Sequence, residues 1–189
     1  MAERLPREPL PLVTITAGTV LARQGEPAPR PLVVVSGALA ESCTSPGGRE
    51  LMLAILGPGD LVAGTEQPAQ ATLRALRLTR LREARTIELA ALVSARERRA
   101  IEFAHDLAWL DVTDRLERRL EDLALRFGRQ GSDGQLIDLF LRQEDLAALV
   151  GATRESVNRA VRSIRCHGRL RGAGRGRYVL LPQLSSVGP

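Results

Sequence analysis

Only two cysteines, Cys43 and Cys166, occur in the 189 residues. They cannot build a disulfide framework or supply the four thiolates of an iron–sulfur cluster. A reducing cytoplasm is the expected setting, and no cofactor is expected. No window offers about 18 uninterrupted apolar residues, so a transmembrane helix is excluded and no membrane partner is expected. The opening MAERLPREPLPLV carries Glu3, Glu8 and several prolines, with no apolar core of the kind a secretory signal needs. There is no Gly-x-Ser-x-Gly elbow, no Walker loop and no His-Glu-x-x-His, and the histidines number two, His105 and His167. The carboxylates fall mostly on helical surfaces beside arginines, as in a solvated face, so an enzyme is not expected. Lysine is absent. All 27 basic residues are arginine, which reflects coding composition more than function.

Where the arginines stand says more. Residues 1–141 hold 18 arginines against 19 acids, while residues 142–189 hold 9 against 3. A neutral body with a basic last quarter points to a polyanion partner, with nucleic acid first.

The first part of the chain reads as β. Short apolar or alternating runs cover 13–16, 20–22, 32–35, 38–41 and 51–56, with 73–81 as a last strand. Between them lie Gly18, Gly25-Glu26-Pro27, Ser36-Gly37, Pro46-Gly47-Gly48 and Gly57-Pro58-Gly59-Asp60. These are turn clusters, and strands at such spacing suggest a sandwich or small barrel.

From about Arg85 the pattern becomes helical. Leu89, Val93, Ala100, Phe103, Leu107 and Leu110 recur in steps of four and three, with Arg96 at the interrupted place. That spacing fits a seam between two chains, or a helix lying on its own β part. The charge on the remaining faces favours the seam, and hence a homodimer. At Leu110-Asp111 the helix breaks. Asp111 is a good N-cap for a second helix running to Phe127, with Gly128 as its stop.

Residues 142–167, RQEDLAALVGATRESVNRAVRSIRCH, carry the strongest signal. Leu146, Leu149 and Val150 form one apolar face, and Val157, Ala160, Val161 and Ile164 form another. Gly151 can take a left-handed turn between them, Thr153 can cap the second helix, and small Ala147 permits close approach. This is a helix-turn-helix. Its second helix opens with Arg154, Glu155, Ser156, Asn158 and Arg159 off the apolar face, at the end that enters a major groove. Residues 168–181 then read as a hairpin, a wing whose Arg171, Arg175 and Arg177 can meet phosphates.

These motifs resemble the Crp/Fnr family of bacterial transcriptional regulators. The C-terminal part of the likeness rests on Leu107–Leu116 and on Arg142–Arg159. The N-terminal part rests on Gly18–Glu26, Val33–Gly37, Gly48–Leu51 and Leu56–Asp60. The resemblance implies an α+β chain in three parts: a β-roll sensor-like domain over 1–84, a dimerisation helix over 85–110, and a winged helix-turn-helix over 111–189. It implies a hinge at Leu110 and Asp111, a homodimer on an inverted-repeat operator of double-stranded DNA, and contact with RNA polymerase. Arg154, Glu155 and Arg159 fall on the family's base-reading positions. Arg142, Thr153, Ser156, Asn158, Arg171, Arg175 and Arg177 are expected at the DNA backbone.

Two departures from the family pattern stand out. Leu141 replaces the usual Thr that caps the first helix of the motif, so helix entry must rest on packing or on Gln143. In the effector region the cyclic-nucleotide members have Gly-Glu and then Arg-Ser. This chain has Val62-Ala63-Gly64-Thr65-Glu66-Gln67-Pro68, a shortened loop with no Arg-Ser, and its nearest arginine is Arg74. A buried phosphate without a cationic partner is poorly compensated, so DNA binding without cyclic nucleotide is expected. The alternative is a sensor whose β-roll still takes a cyclic nucleotide or another small ligand.

Overall fold

A computed structural model describes residues 11–62, 68–174 and 176–182. Eight strands come first: β1 (Leu12–Ile15), β2 (Val20–Ala22), β3 (Leu32–Ser36), β4 (Leu39–Thr44), β5 (Glu50–Leu56), β6 (Leu61–Val62), β7 (Thr72–Ala75) and β8 (Thr79–Glu83). They form two antiparallel sheets, ordered β1-β8-β3-β6 and β2-β7-β4-β5. Alternation decides what they bury: Leu73 and Ala75 on β7, and Thr79 and Leu81 on β8, face inward. Leu73, Ala75 and Leu81 fill the roll together with Leu32, Val34, Leu39, Leu56 and Val62.

The single strand expected over 73–81 is two strands. The chain breaks between them because the Gly37 turn packs there. Gly37 has φ 104°, and a Cβ on it would lie 2.5 Å from the Leu78 carbonyl oxygen and the Thr79 Cα. Fully buried Thr79 accepts a hydrogen bond from the Ala38 N–H through Oγ1 (3.1 Å). Gly37→Ala is therefore expected to cost roughly 1–3 kcal/mol from backbone strain alone, before the contact is relieved. Thermal unfolding of the variant checks this.

Helix α1 (Thr86–Trp109) begins with Glu88 accepting from the Arg85 N–H (2.9 Å). Glu88 also pairs with Arg82 of β8. Hydrogen bonding to Arg82 holds the Glu88 carboxyl below its ordinary range. This link of roll to helix is therefore kept above the ordinary carboxylate pKa and lost as pH falls through the depressed value.

Helix α2 (Val112–Phe127) starts at Asp111, whose carboxylate accepts from the Thr113 and Asp114 N–H groups at 2.7 and 3.0 Å. Leu116, Leu120, Leu123 and Phe127 form its buried stripe. Gly128 does follow the helix, but in an extended conformation, φ −76°. The chain runs straight from the helix into β9 (Gly128–Gln130), a strand with no apolar alternation to announce it. β10 (Gln135–Ile137), β11 (Leu170–Gly172) and β12 (Tyr178–Leu180) complete a third sheet, ordered β11-β12-β10-β9. Helices α3 (Gln143–Val150) and α4 (Arg154–Cys166) lie between its strands in sequence.

One buried cluster joins both ends of the chain. Ala38, Ala40, Met52 and Ile55 of the roll pack in the same core as Leu120, Leu123 and Phe127 of α2, Leu146 and Leu149 of α3, and Val157 and Ile164 of α4. No helix among the described residues is long and apolar enough to cross a membrane.

Candidate nucleic-acid interface

The two motif helices meet as their spacing predicts. Leu146, Leu149 and Val150 are buried on α3, and Val157, Ala160, Val161 and Ile164 on α4. Gly151 ends α3 in the left-handed region, φ 62° and ψ 38°. Thr153 caps α4, its Oγ1 accepting from the Ser156 N–H at 3.2 Å. The missing threonine cap of α3 is replaced neither by Gln143 nor by packing alone. Asp145, at the third helical position, accepts from the Arg142 N–H at 2.8 Å, while Leu141 is buried below. A carboxylate in the first turn also complements the helix dipole.

With its apolar side sealed, α4 turns Arg154, Glu155, Asn158 and Arg159 to solvent at its N-terminal end. Ser156 is half-buried. The exposed arginines are held by acids. Arg154 pairs with Glu144 of α3, and Arg142 reaches the same carboxylate at 2.8 Å. Hydrogen bonds from Arg142 and then Arg154 hold the Glu144 carboxyl below its ordinary range. Arg159 bonds Glu155 at 2.6 Å and Ser156 Oγ at 3.2 Å. These are exposed pairs, so exchanging them for phosphates or base edges costs little.

The wing holds exposed Arg171, 3.0 Å from Asp133 of the β9–β10 turn, and exposed Arg177. Arg175 lies outside the described residues. Two more arginines, Arg162 and Arg165, stand exposed further along α4. Sequence reading passed over them, although Asn158, Arg162 and Arg165 follow the i, i+4, i+7 spacing of one helix face. Arg169 has a structural role: it bonds Glu117 and Glu121, both at 2.7 Å, and clamps α2 to the wing. His167 is exposed, with Nδ1 2.8 Å from the Ser163 carbonyl.

Along α1 the expected seam is only partly outward. Val93, Ala100 and Leu107 are exposed, while Leu89 and Leu110 are half-buried. Phe103 is corrected: it is 5% exposed and lies under the Arg119 guanidinium, 4.5 Å from the ring centroid. Helix phase explains this, because Phe103 shares a face with buried Asp106 toward α2. Asp106 sits near Arg118 and Arg119, at 3.2 and 3.7 Å. Burial lowers the pKa of Arg119, and the Asp106 charge opposes that shift. At the expected hinge Arg115 donates to the Leu107 carbonyl (3.1 Å), closing the end of α1 across Leu110 and Asp111. The large apolar residues left outward on α1 are Ile87, Val93, Ile101, Leu107 and Trp109.

Two family models match this chain, a cyclic nucleotide-binding domain over residues 12–96 and a Crp-like helix-turn-helix domain over residues 114–185. Over 181 residues it is 30% identical to a CRP-like cAMP-activated global transcriptional regulator of Mycobacterium tuberculosis, covering 86% of this chain and 81% of that one. The chain belongs to the Crp/Fnr family. It is a DNA-binding transcriptional regulator of that family, with its cyclic nucleotide-binding-type domain first and its helix-turn-helix last. Among solved structures, a CRP/FNR-family regulator of Thermus thermophilus shares the fold, with TM-score 0.79 at 24% identity and 92% and 94% coverage of the two chains. The c-di-GMP responsive regulator CLP of Xanthomonas campestris matches with TM-score 0.75 at 25% identity over the same shares.

In this Crp/Fnr regulator Arg74, Arg77 and Arg96 already have acidic partners. Arg74 reaches Asp145 of α3 at 2.9 Å. Arg77 stands 3.6 Å from Asp138 and over the Phe127 ring. Arg96 on α1 is bound to Glu41, which is 4% exposed. Glu66 and its neighbours 63–67 lie outside the described residues.

Proposed function

We propose that this regulator binds an inverted-repeat operator as a homodimer and needs no cyclic nucleotide to do so. Helix α4 enters the major groove, where Arg154 and Arg159 read guanines and Glu155 a cytosine. Arg142, Thr153, Ser156, Asn158, Arg171, Arg175 and Arg177 hold the DNA backbone, with Arg162 and Arg165 added to that set. RNA polymerase is the further partner, and Leu110–Asp111 is the hinge. The observation that carries this reading is the division of α4 into a sealed apolar face and a polar face free at its N-terminal end. Selection of bound sites from random DNA tests it. Two inverted half-sites about one helical turn apart support it, and a single unrepeated site overturns the dimer.

Pairing is assigned to the outward side of α1. Leu107 is a poor probe of it, because its Cδ2 would lie 3.3 Å from a Cβ at Gly151 and so near α3. Ile101 is 64% exposed. Ile101→Asp places a charge at the pairing face without disturbing the single chain, and unpaired burial of that charge is strongly unfavourable. Sedimentation at micromolar concentration should show monomers.

The engagement of Arg74, Arg77 and Arg96 supports independence from cyclic nucleotide. Calorimetry with millimolar cyclic AMP and cyclic GMP should give no saturable heat. Saturable heat favours the second reading, an effector-switched sensor, which the match to a cyclic nucleotide-binding domain model supports.

A further inference from the structure

We propose that the roll itself touches the operator, with Arg49 of the β4–β5 hairpin as a further contact to the DNA backbone. The interface then extends beyond the winged helix-turn-helix. This rests on the reading of α4 as the helix that enters the major groove. In such a docking the first helix of the motif, here α3, crosses the sugar-phosphate backbone. A group that stands beside α3 and Arg154 therefore stands beside phosphates.

The hairpin occupies that place. Leu51 of β5 has its Cδ1 3.1 Å from where a Cβ on Gly151 would lie, so the strand packs on the turn between α3 and α4. Arg49 and Glu50 share an open cleft of about 520 Å³ with Glu144 and Ala147 of α3 and with Arg154 at the reading end of α4. The hairpin also fixes where the Arg49 side chain starts. The Ser45 N–H donates to the Arg49 carbonyl at 2.9 Å, and the Arg49 N–H donates to Ser45 Oγ at 3.1 Å. Little backbone freedom is then lost when this arginine meets a partner.

Charge says which partner. Arg142 and Arg154 share the single carboxylate of Glu144, so that group of three stays net positive. Arg49 is exposed and, among the described residues, makes no ion pair. It adds a second positive charge beside the first, and a phosphate is the partner that both attract. Glu50 lines the same cleft and offsets part of this attraction, so the expected effect is that of one phosphate contact in each half-site.

Arg49→Ala and Arg49→Gln are titrated on a selected operator within a longer duplex, over a series of salt concentrations. Each should weaken cognate and single-base-changed sites alike, and should reduce the slope of log affinity against log salt by about one for each half-site. Arg49→Gln keeps most of the side chain and carries the test should the alanine variant fold poorly. Arg80→Ala is the control. Arg80 is exposed, makes no ion pair among the described residues, and stands on β8 in the other sheet of the roll. Its loss removes the same charge without the contact and should leave the slope unchanged. A scan of single methylphosphonates along the operator gives the place. One phosphate in each half-site should weaken the unaltered chain when neutralised and have no effect on Arg49→Ala. An unchanged slope in both Arg49 variants, an equal change in Arg80→Ala, or a scan in which no phosphate spares Arg49→Ala overturns the contact. An unaltered chain that binds no operator overturns the reading of α4 instead, so the two failures are told apart.

Discussion

Replacing Arg154 with alanine is expected to weaken binding to a symmetric operator by roughly 2–6 kcal/mol, since each half-site loses a bidentate guanine contact of about 1–3 kcal/mol. The loss should be selective. An operator already changed at that base pair should bind the variant and the unaltered chain about equally, because the contact is absent in both. Arg177→Ala should behave differently. It should weaken every sequence alike and reduce the slope of log affinity against log salt by about one, as one fewer counterion is released. A salt-series binding assay on cognate and single-base-changed sites separates the two. Equal weakening of all sites by Arg154→Ala would assign Arg154 to the backbone. The Arg154–Glu144 pair adds a smaller effect. Glu144→Gln removes a competitor for Arg154 and Arg142 and should strengthen binding modestly.

The second large effect concerns Arg74. Asp145 is 7% exposed and serves two partners, the Arg142 N–H that starts α3 and the Arg74 guanidinium that reaches across from β7. Arg74→Ala leaves that carboxylate buried with one backbone donor. The cost should be about 3 kcal/mol, the lower end for breaking a buried pair, since the donor that remains softens it. Asp145→Ala costs the cap as well, but the stranded Arg74 is 29% exposed and can turn to water. The double change Arg74→Met with Asp145→Leu removes both charges and should recover much of the loss. Denaturant unfolding of the four chains gives the ranking. Hydrogen exchange of α3 amides should report the same order, with Arg74→Ala opening the helix most.

Much of the C-terminal part was legible because its information is local. Leu146 and Leu149, and Val157 and Ile164, announce their burial by helical period. Gly151 and Thr153 announce the turn, and Asp111 the start of α2. The features that were not legible depend on distant residues. Nothing near Leu76–Leu78 says that the Gly37 turn will split a strand there. The cap of α3 was sought at its first residues, yet Asp145 supplies it and spends its other oxygen on Arg74, 71 positions earlier. β9 has neither apolar residues nor alternation and exists only because β10 pairs with it. Phe103 fits a four-and-three repeat, but two faces of α1 satisfy that repeat, and only the position of Arg119 selects one. Likewise Glu41 in β4 looks like a surface acid in sequence, and is buried because Arg96 meets it from α1.

The shared core has a thermal consequence. Met52 and Ile55 of the roll are closed off by the same side chains that close off Leu120 and Leu149. A chain built this way cannot melt its DNA-binding part while keeping the roll intact, since the first event would strip cover from the second. Scanning calorimetry should therefore record one transition, with calorimetric and van't Hoff enthalpies in agreement. A fragment starting at Asp111 would carry the uncovered faces of α2 and α3 into water and self-associate on concentration.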